Sequence, residues 1–386
     1  ELLQLVEKIN ALHPYAFYIV DTLGSMYRNE VSHRFYIIDE NMAPEIQLGF
    51  HGHNNMQLAF SNAQVLGKIQ TIRTLILDSA VYGMGRGAGN LPTELITQYI
   101  NKKIDVRYDV TTVMDIYDEY IAPIRKDFEW GYTMPYHIAA SNVCHPNYAT
   151  YLINRQTLTM KDIETIIQSI PKEYKILYDQ DLIERLYTQF QSRKIDDCAA
   201  IQEISVRIRD KKILLLAPGK SLSSQYHQIL EFIDKEKPYV ISVNFIDLKY
   251  HMDACFISNH KRMDIIERDI KPLNQTLVIV TSNIPKTEKN NYLYVDYNNY
   301  LIPDDLISDN AGLMLLQLLK RCEAAEVFLA GFDGFHYGQR ENYYSDDLNF
   351  PVYKDHIYEK RKRIRKQLSE FAQTMKITFL TPSVYQ

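Results

Sequence analysis

Apolar positions in the first hundred residues fall into short blocks of two kinds. Leu2, Leu3, Val6, Ile9 and Leu12 recur at helical spacing and predict a helix over 1–12. Ala16 to Val20, Ile46 to Phe50 and Thr74 to Asp78 are compact runs of strand length. Between the second and third, Leu58, Ala59, Ala63, Val65 and Leu66 give a helix over 56–68 one apolar face, and Pro92 opens a further helix that runs to about Asn101. Strand, loop and helix therefore repeat.

The period then changes twice. Residues 104–200 read as helical, with segments at Val110 to Tyr120, Tyr136 to Leu152, Met160 to Ser169 and Gln180 to Arg193, the second interrupted at Asn142–Tyr148. From about Asp210 a second alternation begins. Strands are predicted at Lys211 to Leu216, Tyr239 to Val243, Ala254 to Ile257, Thr276 to Val280, Tyr292 to Val295 and Glu326 to Ala330, with helices at Gln225 to Lys235 and Gly312 to Arg321. Such βα units predict a doubly wound, mostly parallel sheet whose ligand lies beyond the strand C-termini.

Chemistry concentrates just past the first three strands, where a (β/α)8 barrel builds its active site. The segments are Asp21-Thr22-Leu23-Gly24-Ser25-Met26, Gly49-Phe50-His51-Gly52-His53-Asn54-Asn55 and Gly83-Met84-Gly85-Arg86-Gly87-Ala88-Gly89-Asn90. His51 and His53 stand at i and i+2, so both imidazoles leave the same side of an extended backbone, an arrangement that suits a divalent metal. Taken alone, a His-x-His pair more often has a structural or surface role. The flanking strand and glycine-rich loop shift that balance.

These three segments, in this order, resemble the metal-dependent aldolase and lyase family that includes 4-hydroxy-2-oxovalerate aldolase and 3-hydroxy-3-methylglutaryl-CoA lyase, and most of all its hydroxy-oxovalerate aldolase branch. The likeness spans residues 1–155. It implies that His51 and His53 are metal ligands, that Thr22, with Gly24 and Ser25, binds the substrate carboxylate, and that Asn90 is a further ligand or substrate contact. Mn²⁺ is the first expectation for the ion, with Mg²⁺, Co²⁺ or Zn²⁺ as alternatives. The implied reaction is cleavage or formation of a C–C bond in a 4-hydroxy-2-oxo acid through a metal-bound pyruvate enolate, with a small 2-oxo acid and an aldehyde as partners. Trp130 to His137 resembles the family's post-barrel tyrosine segment, which makes Tyr132 and Tyr136 the catalytic candidates. With 29 tyrosines in the chain, packing is the competing role for both.

The departures are informative. The family's first-strand Asp-x-x-x-Arg-Asp-Gly motif, which supplies a third ligand and a carbonyl-polarising arginine, is absent from this sequence, so residues 1–103 are expected to be the last three strands of a barrel lacking strands one to five. Thr22 in place of serine and Asn54 in place of a third histidine point to a different substrate. Residues 104–205 are then a helical extension, in which His145 is expected to cap or brace, and 206–386 a separate Rossmann-like domain.

That domain carries Ala217-Pro218-Gly219-Lys220-Ser221-Leu222, which lacks the glycine a phosphate loop requires at position 214, where Leu214 stands. Together with Ser242-Val243-Asn244 and Gly331-Phe332-Asp333-Gly334-Phe335 it resembles Rossmann-like domains near bacterial sialyltransferases and the 6-hydroxymethylpterin diphosphokinase-like family. The resemblance implies a nucleotide or nucleotide-sugar ligand near Gly219, Ser221, Asn244 and Asp333, with Ser258 and Asn259 also at strand ends. Polar loop residues without a ligand are an equal expectation.

Composition narrows the classes. With 386 residues, 46% of them hydrophobic, the chain can bury substantial cores in two or three domains. A formal charge of −5 disfavours a nucleic-acid or membrane partner. The basic run Lys360–Lys366 reads as a solvated helix face, with Ile357, Ile364, Leu368 and Phe371 turned inward. No apolar stretch approaches ~20 residues and no secretory leader is visible. Cysteines 144, 198, 255 and 322 form no Cys-x-x-Cys pair, which fits a reducing cytoplasm. A homo-oligomer stays open. The competing functions are a scaffold or ligand-binding protein with a decayed barrel, and a Claisen-type acyl transferase of the same family.

Overall fold

The computed structural model describes residues 1–269, 276–287, 291–334, 343–345 and 357–386. Phe335, at the end of the glycine-flanked run after the sixth predicted strand of the second alternation, lies outside the described residues. The chain forms two compact units, one of residues 1–155 and 160–186 and the other of 156–159 and 187–386. The helical stretch expected as a separate 104–205 segment is thus divided between them. Helices Met134–Ser141, Pro146–Arg155 and Met160–Gln168 bury Ala139, Ala140, Leu152, Ile163, Ile166 and Ile167 in the first unit. Helix Cys198–Ile208 instead buries Ala200, Ile204 and Ile208 in the core of the second.

In the first unit, β1 (Ala16–Asp21), β2 (Gln47–Gly52) and β3 (Leu75–Leu77) form a parallel three-stranded sheet in sequence order. Alternate side chains fall on opposite faces. Ile19, Leu48 and Phe50, with Phe17, Leu75 and Leu77 beside them, pack against helices Leu2–Leu12, Arg28–Asn41, Ala59–Leu66 and Thr93–Lys103, burying Val6, Val31, Phe35, Ile38, Ala63 and Ile96. Tyr18, Val20, Gly49 and His51 occupy the other face by the same alternation, with Val20 and His51 in register. His51 therefore projects away from the helical layer.

Helix Arg28–Asn41 is not apparent from the hydropathy pattern, because only Val31, Phe35 and Ile38 are buried in an otherwise polar sequence. Its C-terminal carbonyls are gathered by one side chain. The buried Arg73 guanidinium donates to the carbonyl oxygens of Asp39, Met42, Ala43 and Ile46, and its Nε donates to Asp39 Oδ1 at 2.6 Å. A charge fixed at the end of that helix thereby locks the entry into β2.

Further along, the predicted helix at 110–120 is α-helical over Val110–Ile116 and continues as a π-helical turn over Tyr117–Ile121. The segment at 136–152 is two helices, broken where Val143 adopts φ 53°.

The second unit contains a seven-stranded, all-parallel sheet in the order β10-β9-β4-β5-β6-β7-β8. Its strands are β4 (Ile213–Leu216), β5 (Tyr239–Val243), β6 (Ala254–Ile257), β7 (Leu277–Thr281), β8 (Tyr292–Val295), β9 (Glu326–Ala330) and β10 (Lys376–Phe379). β4 to β7 are buried at every residue, which is why they read as unbroken hydrophobic runs. Ile213, Leu215, Ile241 and Phe256 pack beneath helices Cys198–Ile208, Ala311–Arg321 and Ile357–Phe371. Leu214, Leu216 and Val240 face Ile229 of helix Tyr226–Glu236, and Cys255 and Val278 face Met263 and Ile266 of helix His260–Asp269. Strand order reverses between β4 and β9, the position at which a parallel sheet opens a crevice at its C-terminal edge.

Candidate active site

The turn after β1 is organised by Asp21. Its carboxylate accepts the backbone N–H groups of Ser25 and Met26, each at 3.0 Å, and its carbonyl accepts that of Gly24 at 3.1 Å. Burial raises the Asp21 carboxyl above its ordinary range, opposed by these amides and by His53. Gly24 has φ +63°, which a side chain rarely adopts, and lies directly against the backbone of His53 and Asn55. Asn55 Nδ2 closes the cradle by donating to Leu23 O at 2.9 Å, and its Oδ1 receives Ala88 N–H at 3.3 Å.

The His51 and His53 rings lie 4.9 Å apart, inclined at 68°. Each has its Nδ1 engaged. His51 Nδ1 pairs with Asp78 Oδ2 at 3.1 Å, and His53 Nδ1 with the Asp21 carbonyl oxygen at 2.9 Å. A carbonyl and a carboxylate both accept, so in the neutral form each ring carries its proton on Nδ1 and leaves Nε2 with a lone pair.

The glycine-rich loop reaches back over this pair. His53 and Asn90 form an isolated antiparallel bridge, and Asn54 N–H donates to Gly89 O at 2.8 Å. Asn90 Nδ2 donates to Met84 O at 2.9 Å, which fixes the amide's orientation. Asn90 Oδ1 and Asn54 Oδ1 are buried without a hydrogen-bond partner. Buried amide oxygens lacking a donor, one on the residue after His53 and one on the residue bridged to it, and a pair of adjacent imidazoles are donor types that suit a divalent cation. Among the described residues no group of three or more His, Cys, Asp or Glu side chains that could hold a metal ion is present.

The remaining expected residues divide. Tyr136 sits against the loop, its ring 3.5 Å from where a Cβ on Gly87 would stand and its hydroxyl 3.3 Å from Thr150 Oγ1. Tyr132 is exposed, with its ring 6.2 Å from that of His137. Thr22 and Ser25 face a cleft of about 900 Å³ whose lining also includes Arg34, Met56, Val143 and Ile176, and neither histidine lines it. His145 Nδ1 accepts Asn147 N–H at 3.2 Å at the start of helix Pro146–Arg155. Burial and then the nearby Arg86 lower its pKa. Asp78 and Arg34 were not among the expected residues. Asp78 carries a legible signal, a carboxylate closing a predicted strand.

Residues 1–119 match the HMGL-like family model. Within this HMGL-like segment the chain is similar to 4-hydroxy-2-oxovalerate aldolases. It is 40% identical over 108 residues to that of Thermomicrobium roseum, covering 28% of this chain and 29% of the relative. It is 34% identical over 125 residues to that of Geobacillus thermodenitrificans, covering 31% and 35% respectively. The chain thus spans about a third of the length of these relatives.

Beyond the HMGL-like segment, the four residues expected at a C-terminal ligand site follow three strands, β4, β5 and β9. Gly219 N–H donates to Gly331 O at 3.0 Å, which joins the loops after β4 and β9. Asp333 Oδ2 accepts Ser221 N–H at 2.7 Å, and Ser221 Oγ bonds both Asp333 Oδ1 and Thr381 Oγ1. The Ser221 amide is therefore held by a carboxylate of the chain itself. Asn244, at φ 58°, accepts Ser258 N–H on Oδ1 at 3.0 Å and so ties the end of β5 to the residue after β6. Asn259 Oδ1 accepts Arg262 N–H at 3.2 Å. No helix among the described residues is long and apolar enough to cross a membrane.

Proposed function

We propose that the HMGL-like segment is the metal-holding part of a carbon–carbon lyase that cleaves or forms a 4-hydroxy-2-oxo acid, with pyruvate or a related 2-oxo acid and an aldehyde as its partners. The observation that carries this reading is the pair of imidazoles whose Nδ1 atoms are both occupied, leaving two Nε2 lone pairs beside the glycine loop. His51 and His53 would hold the ion, Mn²⁺ by preference, with Asn90 Oδ1 as a further donor. When bound, such an ion polarises the substrate's carbonyl and stabilises the negative charge that C–C cleavage leaves behind.

This chain's own residues do the rest. Thr22 offers an exposed hydroxyl in a cleft shared with Ser25 and Arg34, and with Asp21 and Glu30, and would contact the substrate carboxylate. Tyr136, whose ring lies against the loop at Gly87, would be the hydroxyl that moves a proton. The parallel order of β1–β3 and their polar C-terminal ends support reading them as the closing strands of a (β/α)8 barrel. Four cysteines without a disulfide favour a cytoplasmic setting.

Calorimetry with Mn²⁺ and an assay of pyruvate release from 4-hydroxy-2-oxo acids test this function. His51→Ala and His53→Ala are expected to abolish both signals. Unchanged metal uptake by the double variant refutes the assignment.

A second ligand is read at the reversal between β4 and β9, of the nucleotide or nucleotide-sugar class, supported by the meeting there of the Gly219 and Gly331 loops. A thermal-shift panel of nucleotides checks it, since a ligand that prefers the native state raises the midpoint.

A further inference from the structure

We propose that Tyr18 and Asp78 form a positioning pair for His51, setting its tautomer so that Nε2 is the ring atom free to take a ligand. One side chain comes from each strand of the sheet or its end. Tyr18 lies on β1, His51 on β2 and Asp78 one residue beyond β3, all at positions that alternation assigns to the face away from the helices.

The seating begins at Gly49, the register partner of Tyr18. A Cβ at Gly49 would stand 2.4 Å from Tyr18 Cε1, so the Tyr18 ring lies in the space that a side chain would fill. From there the Tyr18 hydroxyl comes near enough to Asp78 to feel its carboxylate charge. Burial first and the Asp78 charge second raise the Tyr18 pKa. Asp78 is itself pinned to β2, because its N–H donates to Phe50 O at 3.0 Å. Its Oδ2 is left to accept from His51 Nδ1 at 3.1 Å.

A carboxylate cannot donate, so the shared proton belongs to the ring, and Nε2 becomes the lone-pair nitrogen. At His53 a backbone carbonyl, Asp21 O, does the same work. No side-chain substitution at Asp78 removes that contact, and His53 therefore serves as an internal reference. The purpose given to the pair rests on the metal reading above, whereas its geometry does not.

Long-range ¹H–¹⁵N spectra of the histidine-labelled protein, recorded without metal and above the imidazole titration range, read the tautomer directly. His51 is expected to carry its proton on Nδ1 in the wild type. Asp78→Leu is expected to move it toward Nε2 and to weaken Mn²⁺ binding by roughly 10–100-fold in calorimetry. Asp78→Glu restores the Nδ1–H form. Tyr18→Phe keeps the packed ring and shifts the tautomer the same way by a smaller amount, which preserves the test if Asp78→Leu does not fold. His53 signals unchanged throughout report an intact site. A wild-type His51 already protonated on Nε2, or one indifferent to both substitutions, overturns the proposal. If the tautomer moves as expected while no version binds Mn²⁺, the positioning pair stands and the metal reading falls.

Discussion

Gly24 and His53 touch through their backbones: a Cβ on Gly24 would stand 2.8 Å from the His53 carbonyl oxygen and 2.9 Å from Asn55 N. The turn that follows β1 is thereby pressed against the segment that carries both histidines. Gly24→Ala is expected to cost roughly 1–2 kcal/mol from the left-handed backbone alone, and more from the clash. Urea unfolding measures the stability loss, and Mn²⁺ calorimetry is expected to show weaker binding as His53 is pushed aside. Wild-type affinity in a folded Gly24→Ala protein contradicts the packing.

Arg73 should be one of the least replaceable residues outside the site. Its guanidinium serves four backbone carbonyls and the Asp39 carboxylate, and its side chain is only 3% exposed. Arg73→Met leaves Asp39 and those carbonyls without their donor, which is expected to cost about 3–5 kcal/mol. Arg73→Lys should recover little, since an ammonium cannot span the same fork. Chemical denaturation of the two variants checks both statements.

Asp197 gives a pH-dependent prediction. Burial disfavours its ionised form, but donors from Tyr300, the Asp296 amide and Asn299, with the charge of Arg321, outweigh this and hold its pKa below the ordinary 3.8. The unfolded chain therefore binds the proton more readily. Stability from this group is complete above 3.8 and is lost as pH falls through the lower native value. Asp197→Asn is expected to cost about 1–3 kcal/mol at neutral pH. The gap to wild type should narrow in acid, as urea titrations on both sides of the carboxylate range will show.

Thiol chemistry should follow exposure. Cys198 is exposed, whereas Cys144, Cys255 and Cys322 are buried. Burial pushes Cys144 up to about 11 and Cys255 up to about 12. An alkylating reagent is expected to label Cys198 first, with a rate that climbs with pH because hydrogen bonding to Asp196 raises that thiol too. Asp196→Asn should speed labelling at neutral pH. Mass spectrometry of the labelled protein reads the order.

What the sequence exposed depended on how each element is buried. β4 and β5 are buried at every residue, so Ile213–Leu216 and Tyr239–Val243 stand out as continuous apolar runs. β10 is a four-residue strand at the sheet edge with no fully buried residue, and Lys376–Phe379 carries no such mark. Helix Cys198–Ile208 lies between the predicted helix ending at Arg193 and the predicted strand from Lys211, and its stripe of Ala200, Ile204 and Ile208 is narrow.

At the site, the neighbourhood of His51 and His53 follows from their spacing. The hydrogen bond from His51 to Asp78 does not, because it depends on the pairing register of Phe50 with Leu77, which local sequence leaves unspecified. Ser221 and Asp333 show the same limit on a longer scale, since 112 residues separate them and only the adjacency of β4 and β9 makes them neighbours.

That neighbourhood has a consequence for anything entering the crevice. The loop after β4 is held by the Asp333 carboxylate, tethered on the loop after β9, and a phosphate approaching Ser221 must displace it. A tethered group competes at an effective concentration in the millimolar range or above, so the crevice answers only to ligands tight enough to displace it. Eviction would also release the Asp333 segment, whose carbonyl accepts Val384 N–H at 3.0 Å. Occupancy after β4 would thus be felt at the C-terminal tail of the chain.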